Sequence, residues 1–225
     1  MLGLLAGVFI ALGAALYTQV LTGSTLGAGP TRLLGGAAFS LGLVLVVVGG
    51  AELFTGNNLI VMAWADGKIS SGALLRNWGA SYVANGCGAV FIVLLMLLSG
   101  LHNTGPARDT VIAIAESKMQ IPIFQAFARG ILCNALVCLA VWLSFASHSV
   151  SGKILAIMFP ITAFVALGFE HSIANFYLIP VGIVLGAEGG ISGLVSNLIP
   201  VTLGNIVGGG GTVAFVYWII YRRSV

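Results

Sequence analysis

Of the three histidines in this 225-residue chain, only His171 lies inside an apolar stretch; His102 and His148 fall in polar gaps. An ionisable side chain at membrane depth is expensive and marks a functional site by default. Imidazole has a reference pKa of ~6.5, near ambient pH, and so can exchange a proton with a weak acid. The opposing reading is a neutral imidazole that bridges two helices by hydrogen bonds. Thr55 carries a hydroxyl that can donate to an anion or accept from His171, or else cap a helix or bond back to the preceding turn. Asn134 offers an amide midway along another apolar stretch, to a solute or to a neighbouring helix. Glu52 and Glu170 would repel an anion if they met it ionised, and suit a scaffold role in which they turn away and accept hydrogen bonds from backbone N–H groups. Asn57 and Asn175 each follow one of these glutamates by five residues, and an amide serves donor and acceptor alike in unwound backbone. Cys87, Cys133 and Cys138 are odd in number and lack metal-ligand spacing. With no metal-ligand cluster, and no nucleophile at a recognisable spacing from a base, the sequence indicates no metal, no cofactor and no enzyme.

The elements that must position these residues are membrane spans. Charged residues make up 7% of the chain and hydrophobic residues 59%, with a mean hydropathy of +1.10. A soluble domain has a charged fraction near 25%, so a water-facing surface cannot be covered. Soluble enzyme, nucleic-acid-binding domain and disordered linker are excluded. The net charge of +3 forms no basic cluster, so the partner is a lipid bilayer rather than nucleic acid. Met1 to Tyr17 has no basic n-region and reads as a first membrane helix, not a signal peptide. Six apolar blocks stand out, at about 2–22, 33–65, 77–99, 122–146, 154–187 and 195–221. The fold expected is an all-α polytopic membrane protein, one transmembrane domain over residues 1–225. Six spans put both termini on one side. Placing them in the cytoplasm sets Lys68, Arg76, Lys153, Arg222 and Arg223 inside against Arg32, Arg108, Lys118 and Arg129 outside.

The second and fifth blocks are too long for one straight span, and each is interrupted by a polar cluster, Glu52 to Asn58 and Glu170 to Asn175. Irregular backbone at this depth must be buried in protein or line a cavity. A shift of 118 residues superposes Glu52 on Glu170 and Asn57 on Asn175; a shift of 120 superposes Asn77 on Asn197, Asn85 on Asn205 and Gly88 on Gly208. Two halves, about 1–100 and 118–225, with three spans each must enter the membrane from opposite sides. Such an inverted repeat places substrate sites near the midplane, where broken helices meet. Glycine is abundant, 32 residues, with a run from Gly208 to Gly211 and a close pair at Gly86 and Gly88. No strand precedes them and no Walker motif is present, so they suit close helix packing.

The stretches GAELFTGN (Gly50 to Asn57), GILCNALVCLA (Gly130 to Ala140), GFEHSIAN (Gly168 to Asn175) and NLIPVTLGNIVGG (Asn197 to Gly209) resemble, in order, the signature segments of the formate/nitrite transporter family. The resemblance implies an aquaporin-like six-helix protomer with broken second and fifth helices, assembled as a homopentamer with one anion pathway per protomer in the inner (cytoplasmic) membrane. It implies His171 at the centre of the pathway with Thr55 and Asn134, a vestibule lysine at Lys118, and hydrophobic constrictions at Phe39, Leu43, Leu53, Phe54, Val137 and Phe164. Apart from the resemblance, Lys118 reads as an interfacial lysine that snorkels, and the six apolar residues as membrane core. Members of the family usually carry an amphipathic helix before the first span, whereas here apolar residues begin at Leu2.

The resulting expectation is a passive, pH-sensitive channel or secondary transporter for small monovalent weak-acid anions, formate first and nitrite next. Hydrosulfide and short carboxylates remain open, and an aquaporin-like neutral-solute pore is the rival, although the chain lacks a repeated Asn-Pro-Ala. The physical case compares two costs. A carboxylate moved to low dielectric loses several kcal/mol or more. Protonating an acid of pKa ~3.9 at pH 7 costs only about 4 kcal/mol.

Overall fold

A computed structural model describes residues 1–222. Arg223, counted above among the inner charges, lies outside the described residues. The chain is all-helical. Helix α1 (Leu2–Leu21) is followed by α2 (Ala28–Gly49), a non-helical segment, a 3-10 turn at Gly56–Ile60 and the short α3 (Val61–Ala65). Then come α4 (Ser71–Ser99), α5 (Gly105–Met119), α6 (Ile123–Phe145), α7 (Val150–Ala166) and α8 (Ser172–Leu185). The last helical run starts as α9 (Gly190–Ile206), widens into a π-helix over Val207–Phe215 and ends as α10 (Val216–Tyr221). α1, α2, α4, α6 and the run Gly190–Tyr221 are long and apolar enough to cross a bilayer; α7 and α8 are shorter apolar helices. The protein is a multi-pass membrane protein.

Two differences from the sequence reading have physical causes. The gap before the fourth block holds a full helix, α5. Its start is set by Pro106 in the first turn, and its composition is too polar to register as a span. α5 is not among the helices long and apolar enough to cross; it packs on α8, where Arg108 Nη2 donates to the carbonyl of Leu185 at 2.7 Å. The interruptions also lie slightly upstream of the polar clusters, so that Asn57, Asn58 and Asn175 sit in the helical turns that resume after them.

α2 reaches its interruption at Gly50 (φ 73°), and the backbone leaving α7 turns at Gly168 (φ 74°), both left-handed conformations that suit a residue without a Cβ. Non-helical backbone leaves amide groups without ladder partners, and lipid supplies none. Two asparagines supply them. Asn85 of α4 accepts the N–H of Phe54 at 2.8 Å and donates to the carbonyls of Gly3 and Glu52 at 2.6 and 2.9 Å. Asn205 of α9 accepts the N–H of Ser172 at 2.9 Å and donates to the carbonyls of Gly130 and Glu170 at 2.9 and 3.0 Å. Both side chains are fully buried. Neighbouring backbone follows the same plan: Glu52 N–H bonds the carbonyl of Leu2 in α1, and Glu170 N–H that of Arg129 in α6, both at 3.3 Å. A Cβ on Gly88 would collide with the carbonyl of Leu4, and one on Gly208 with that of Ile131. Small residues thus bring α4 onto α1 and the α9 run onto α6.

Polar side chains are buried within an otherwise apolar interior, and large apolar ones cover the outside. Thr55, Asn58, Asn85, Asn134, Ser172, Asn175 and Asn205 are completely buried, while Leu98, Phe124, Phe159 and Ile191 are exposed. At one end Asp66, just after α3, accepts from Trp218 Nε1 at 3.1 Å, Arg222 Nη2 at 2.8 Å and Lys68 Nζ at 3.0 Å. It thereby ties α3 to α10. These donors, Arg222 foremost, hold its carboxyl well below the usual carboxylate range.

Asn205→Leu fills similar space but orphans three backbone groups. At about 1–3 kcal/mol each, it is expected to lower thermal stability in detergent by several kcal/mol, read as a fall in melting temperature. A variant as stable as the parent would contradict this role.

Candidate functional site

The two interruptions meet at a single side-chain contact. Thr55 closes the first and His171 the second, and Thr55 Oγ1 lies 3.0 Å from His171 Nε2 with both residues buried. His171 is the N-cap of α8: its Nδ1 accepts the N–H of Ala174 at 3.1 Å. An Nδ1 that accepts cannot carry a proton, so the neutral ring is the Nε2–H tautomer, and Nε2 donates to Thr55 Oγ1. The ring lies against Phe164, centroids 6.0 Å apart and planes 26° apart.

Funnels approach this pair on two sides. The first, about 280 Å³, is lined by Phe39, Phe164 and His171 and by the charged residues Arg32, Lys118, Arg129 and Glu170. The second, about 470 Å³, is lined by Leu43, Leu53, Val141 and Phe145, with Asn57 as a polar member. Phe39 and Phe164 meet edge to face, centroids 5.5 Å apart. Phe39 and Leu43 are one turn apart on α2, so one helix face supplies an apolar residue to each funnel. All four of Phe39, Leu43, Leu53 and Phe164 are buried, so apolar side chains flank the Thr55–His171 pair in each funnel, with His171 itself on the wall of the first. Phe54 instead turns toward α4, its ring 4.9 Å from that of Tyr82 and 6.4 Å from that of Trp78. Val137 is buried in the core and lines neither funnel.

Asn134 lies beside the pair, fully buried. Its Nδ2 approaches the carbonyl of Asn205 at 2.7 Å, and the carbonyl of Thr55 and Oδ1 of Asn58 at 3.2 Å each. In this geometry it ties the first interruption to the helical run of the second half, just before the π-helical stretch. Such widened turns recur at functional sites. Cys138, one turn further along α6, adds a thiol donor to the carbonyl of Thr55 at 3.3 Å.

Lys118 and Glu170 form an ion pair at 2.8 Å, with side-chain exposures of 15% and 4%. The carboxylate also accepts from Asn175 at 2.8 Å, and from Asn197 at 3.4 Å. Its partners are thus side chains, rather than the freed backbone N–H groups expected of it. Asn197 donates as well to the carbonyl of Lys118 at 2.9 Å and accepts from Asn175 at 2.7 Å. In the first half Asn57 donates to Asn77 at 3.0 Å in the same manner, but Glu52 is exposed.

Several residues in this assembly carry no assigned role in the sequence reading. In sequence Asn58 marks only the edge of a polar cluster, Asn85, Asn197 and Asn205 mark only the repeat, and Arg129 counts only as a topological charge. The available signal was polarity in apolar context combined with recurrence in both halves.

Apolar spans around two interruptions, with a buried polar pair at their junction, define a membrane channel or transporter. The family model described as "Formate/nitrite transporter" matches residues 1–219, and the chain belongs to this family. It is 43% identical over 245 residues to the formate channel FocA of Escherichia coli strain K12, covering 99% of this chain and 86% of that protein. A probable formate transporter of Methanothermobacter thermautotrophicus is 44% identical over 243 residues, covering 99% and 88%. Among solved structures, a pentameric formate channel with formate bound superposes with a TM-score of 0.91 at 42% identity, covering 98% of this chain and 95% of that one. An FNT family ion channel gives 0.91 at 32% identity, covering 98% and 88%.

Removing one partner of a buried pair strands the other charge, at about 3–5 kcal/mol, whereas replacing both is far milder. Lys118→Met is therefore expected to lower the melting temperature sharply, and Lys118→Met with Glu170→Gln to recover most of the loss. Equal losses in the single and double variants would show that the pair is not energetically coupled.

Proposed function

We propose that this chain is a homopentameric, passive and pH-sensitive channel for formate and similarly small weak-acid anions such as nitrite, each protomer carrying its own pathway. The Thr55–His171 contact, at the junction of two interruptions and between two apolar bands, carries this reading. The formate channels and the pentamer among its relatives support the substrate and the assembly. In our reading the protomer is a 3+3 inverted repeat, α2–α3 and α7–α8 being its two broken spans, in the cytoplasmic membrane with both termini in the cytoplasm. The matched roles of Asn85 and Asn205 support the repeat.

The anion enters a funnel and sheds water as it meets an apolar band, where hydrated ions are excluded by dewetting. Its charge becomes intolerable there, and a proton donor changes the balance. Nε2–H points at Thr55, so the donor is the ring itself or the Thr55 hydroxyl relaying its proton. For His171 to give up the Nε2 proton and stay neutral, Nδ1 must gain one. That requires the Ala174 N–H to release Nδ1. The cap therefore opposes protonation, and acid promotes it. Asp66 takes no part in this response. The stability its carboxylate contributes is present above the usual carboxylate pKa and is lost only as pH falls through its lowered value.

His171→Asn separates the two roles, since a shorter side chain with an amide oxygen can still cap Ala174 N–H but cannot carry a proton. In proteoliposomes the parent is expected to take up formate faster as external pH falls from ~7 to ~5, and His171→Asn to lose about tenfold or more of that acid-stimulated component while assembling normally. Acid stimulation that survives in full would end the donor role. Asp66→Asn is expected to leave the same pH profile unchanged; a shifted profile would mean that the α3–α10 tie, not His171, senses acid.

A further inference from the structure

We infer that Arg129 supplies the unbalanced positive charge that draws anions into the pathway, and that it does so from one side only. The inference deepens the proposed anion channel and concerns its mouth rather than its centre. Three cations line the funnel above His171. Lys118 is already matched by Glu170 at 2.8 Å, so an ion sees that pair as near neutral. Arg32 stands exposed in the first turns of α2, where water and salt screen it. Arg129 differs from both. It is half-buried on α6, and among the described residues no carboxylate lies within 4 Å of its guanidinium; its polar side-chain neighbour is the neutral Gln125, at 3.5 Å. Its own carbonyl accepts the N–H of Glu170. The backbone of Arg129 is therefore fixed beside the second interruption, one residue from the ring of His171.

A fixed charge on the wall of a funnel bounded by low-dielectric surfaces focuses field lines and raises the local anion concentration. The opposite funnel has no charged side chain among its lining residues. Attraction is therefore one-sided, and half-saturation should be lower and more salt-sensitive from the Arg129 side than from the other.

The local potential can be read without any transported substrate. In a Cys87→Ala background, which removes the exposed native thiol, Ser117→Cys places a thiol on the wall of the same funnel. Its rates with an anionic and a cationic methanethiosulfonate give a ratio set by the potential. At ~10 mM ionic strength Arg129→Gln is expected to lower the anionic-to-cationic ratio about three- to tenfold, Arg129→Lys to preserve it, and ~0.5 M salt to erase most of the difference. Formate half-saturation measured from this side should rise by a similar factor with maximal flux unchanged. A ratio indifferent to Arg129→Gln, or one that falls as far with Arg32→Gln, would overturn the inference. Failure of the proposed function shows elsewhere, as wild-type vesicles impermeable to formate, and the thiol ratio still decides the role of Arg129.

Discussion

A chain that stops being helical in the middle of a bilayer presents amide groups to a solvent that cannot bond them. The centre of this molecule is organised by that constraint. Each interruption needs an N–H acceptor and carbonyl donors at one place, and they must come from another helix, because the local ladder has ended. An asparagine amide supplies both functions without charge. A serine is too short to reach three backbone groups, and a carboxylate would bring a charge that has to be neutralised in turn. Asn85 and Asn205 meet the need in the two halves with the same set of partners. The close approach they require is made possible by Gly88 and Gly208, which let the helices that carry them lie directly on the carbonyls of α1 and α6.

The recurring pair Asn85 and Asn205 thus holds the backbone, whereas the residues that meet at the junction each occur once. Under the 118-residue shift His171 falls on Leu53 and Thr55 on Ile173. The polar members of these two pairs are the ones that touch, and their apolar counterparts are core residues. In the repeat we propose, matched asparagines would form a symmetric frame around central polar groups that are not symmetric. The same contrast extends to the mouths, with cations lining one funnel and an apolar wall the other.

Much of this was legible in the sequence, for identifiable reasons. Spans register because about 20 apolar residues in succession match the thickness of a bilayer's hydrocarbon core. The interruptions register because Glu52, Asn57, Glu170 and Asn175 are conspicuous in such surroundings. Helix α5 did not register as an element: Arg108, Asp109, Glu116 and Lys118 give it a polar composition, and it packs on α8 rather than crossing alone. The glycine run from Gly208 to Gly211 announces close packing but not the widened helical turns. The partners of Glu170 were beyond reach as well, since Lys118 lies 52 residues away in sequence and approaches through α5. Nor could sequence show that Lys118 is matched by a carboxylate while Arg129, among the described residues, has none within 4 Å, because charge matching is a property of packing.

The cap on α8 constrains what the central imidazole can do. If Nδ1 faced open space, the ring could take a proton there and hold a standing positive charge, which a small anion would bind tightly and leave slowly. Committing Nδ1 to the Ala174 N–H keeps the ring neutral at rest while directing the Nε2 proton toward Thr55. A donor of this kind offers a hydrogen bond rather than a permanent charge. Passage needs the weaker of these two interactions, since conduction requires a site favourable enough to enter and weak enough to leave. In the proposed mechanism, the helix start that makes His171 a structural residue would thus also suit it to a channel rather than to an anion trap.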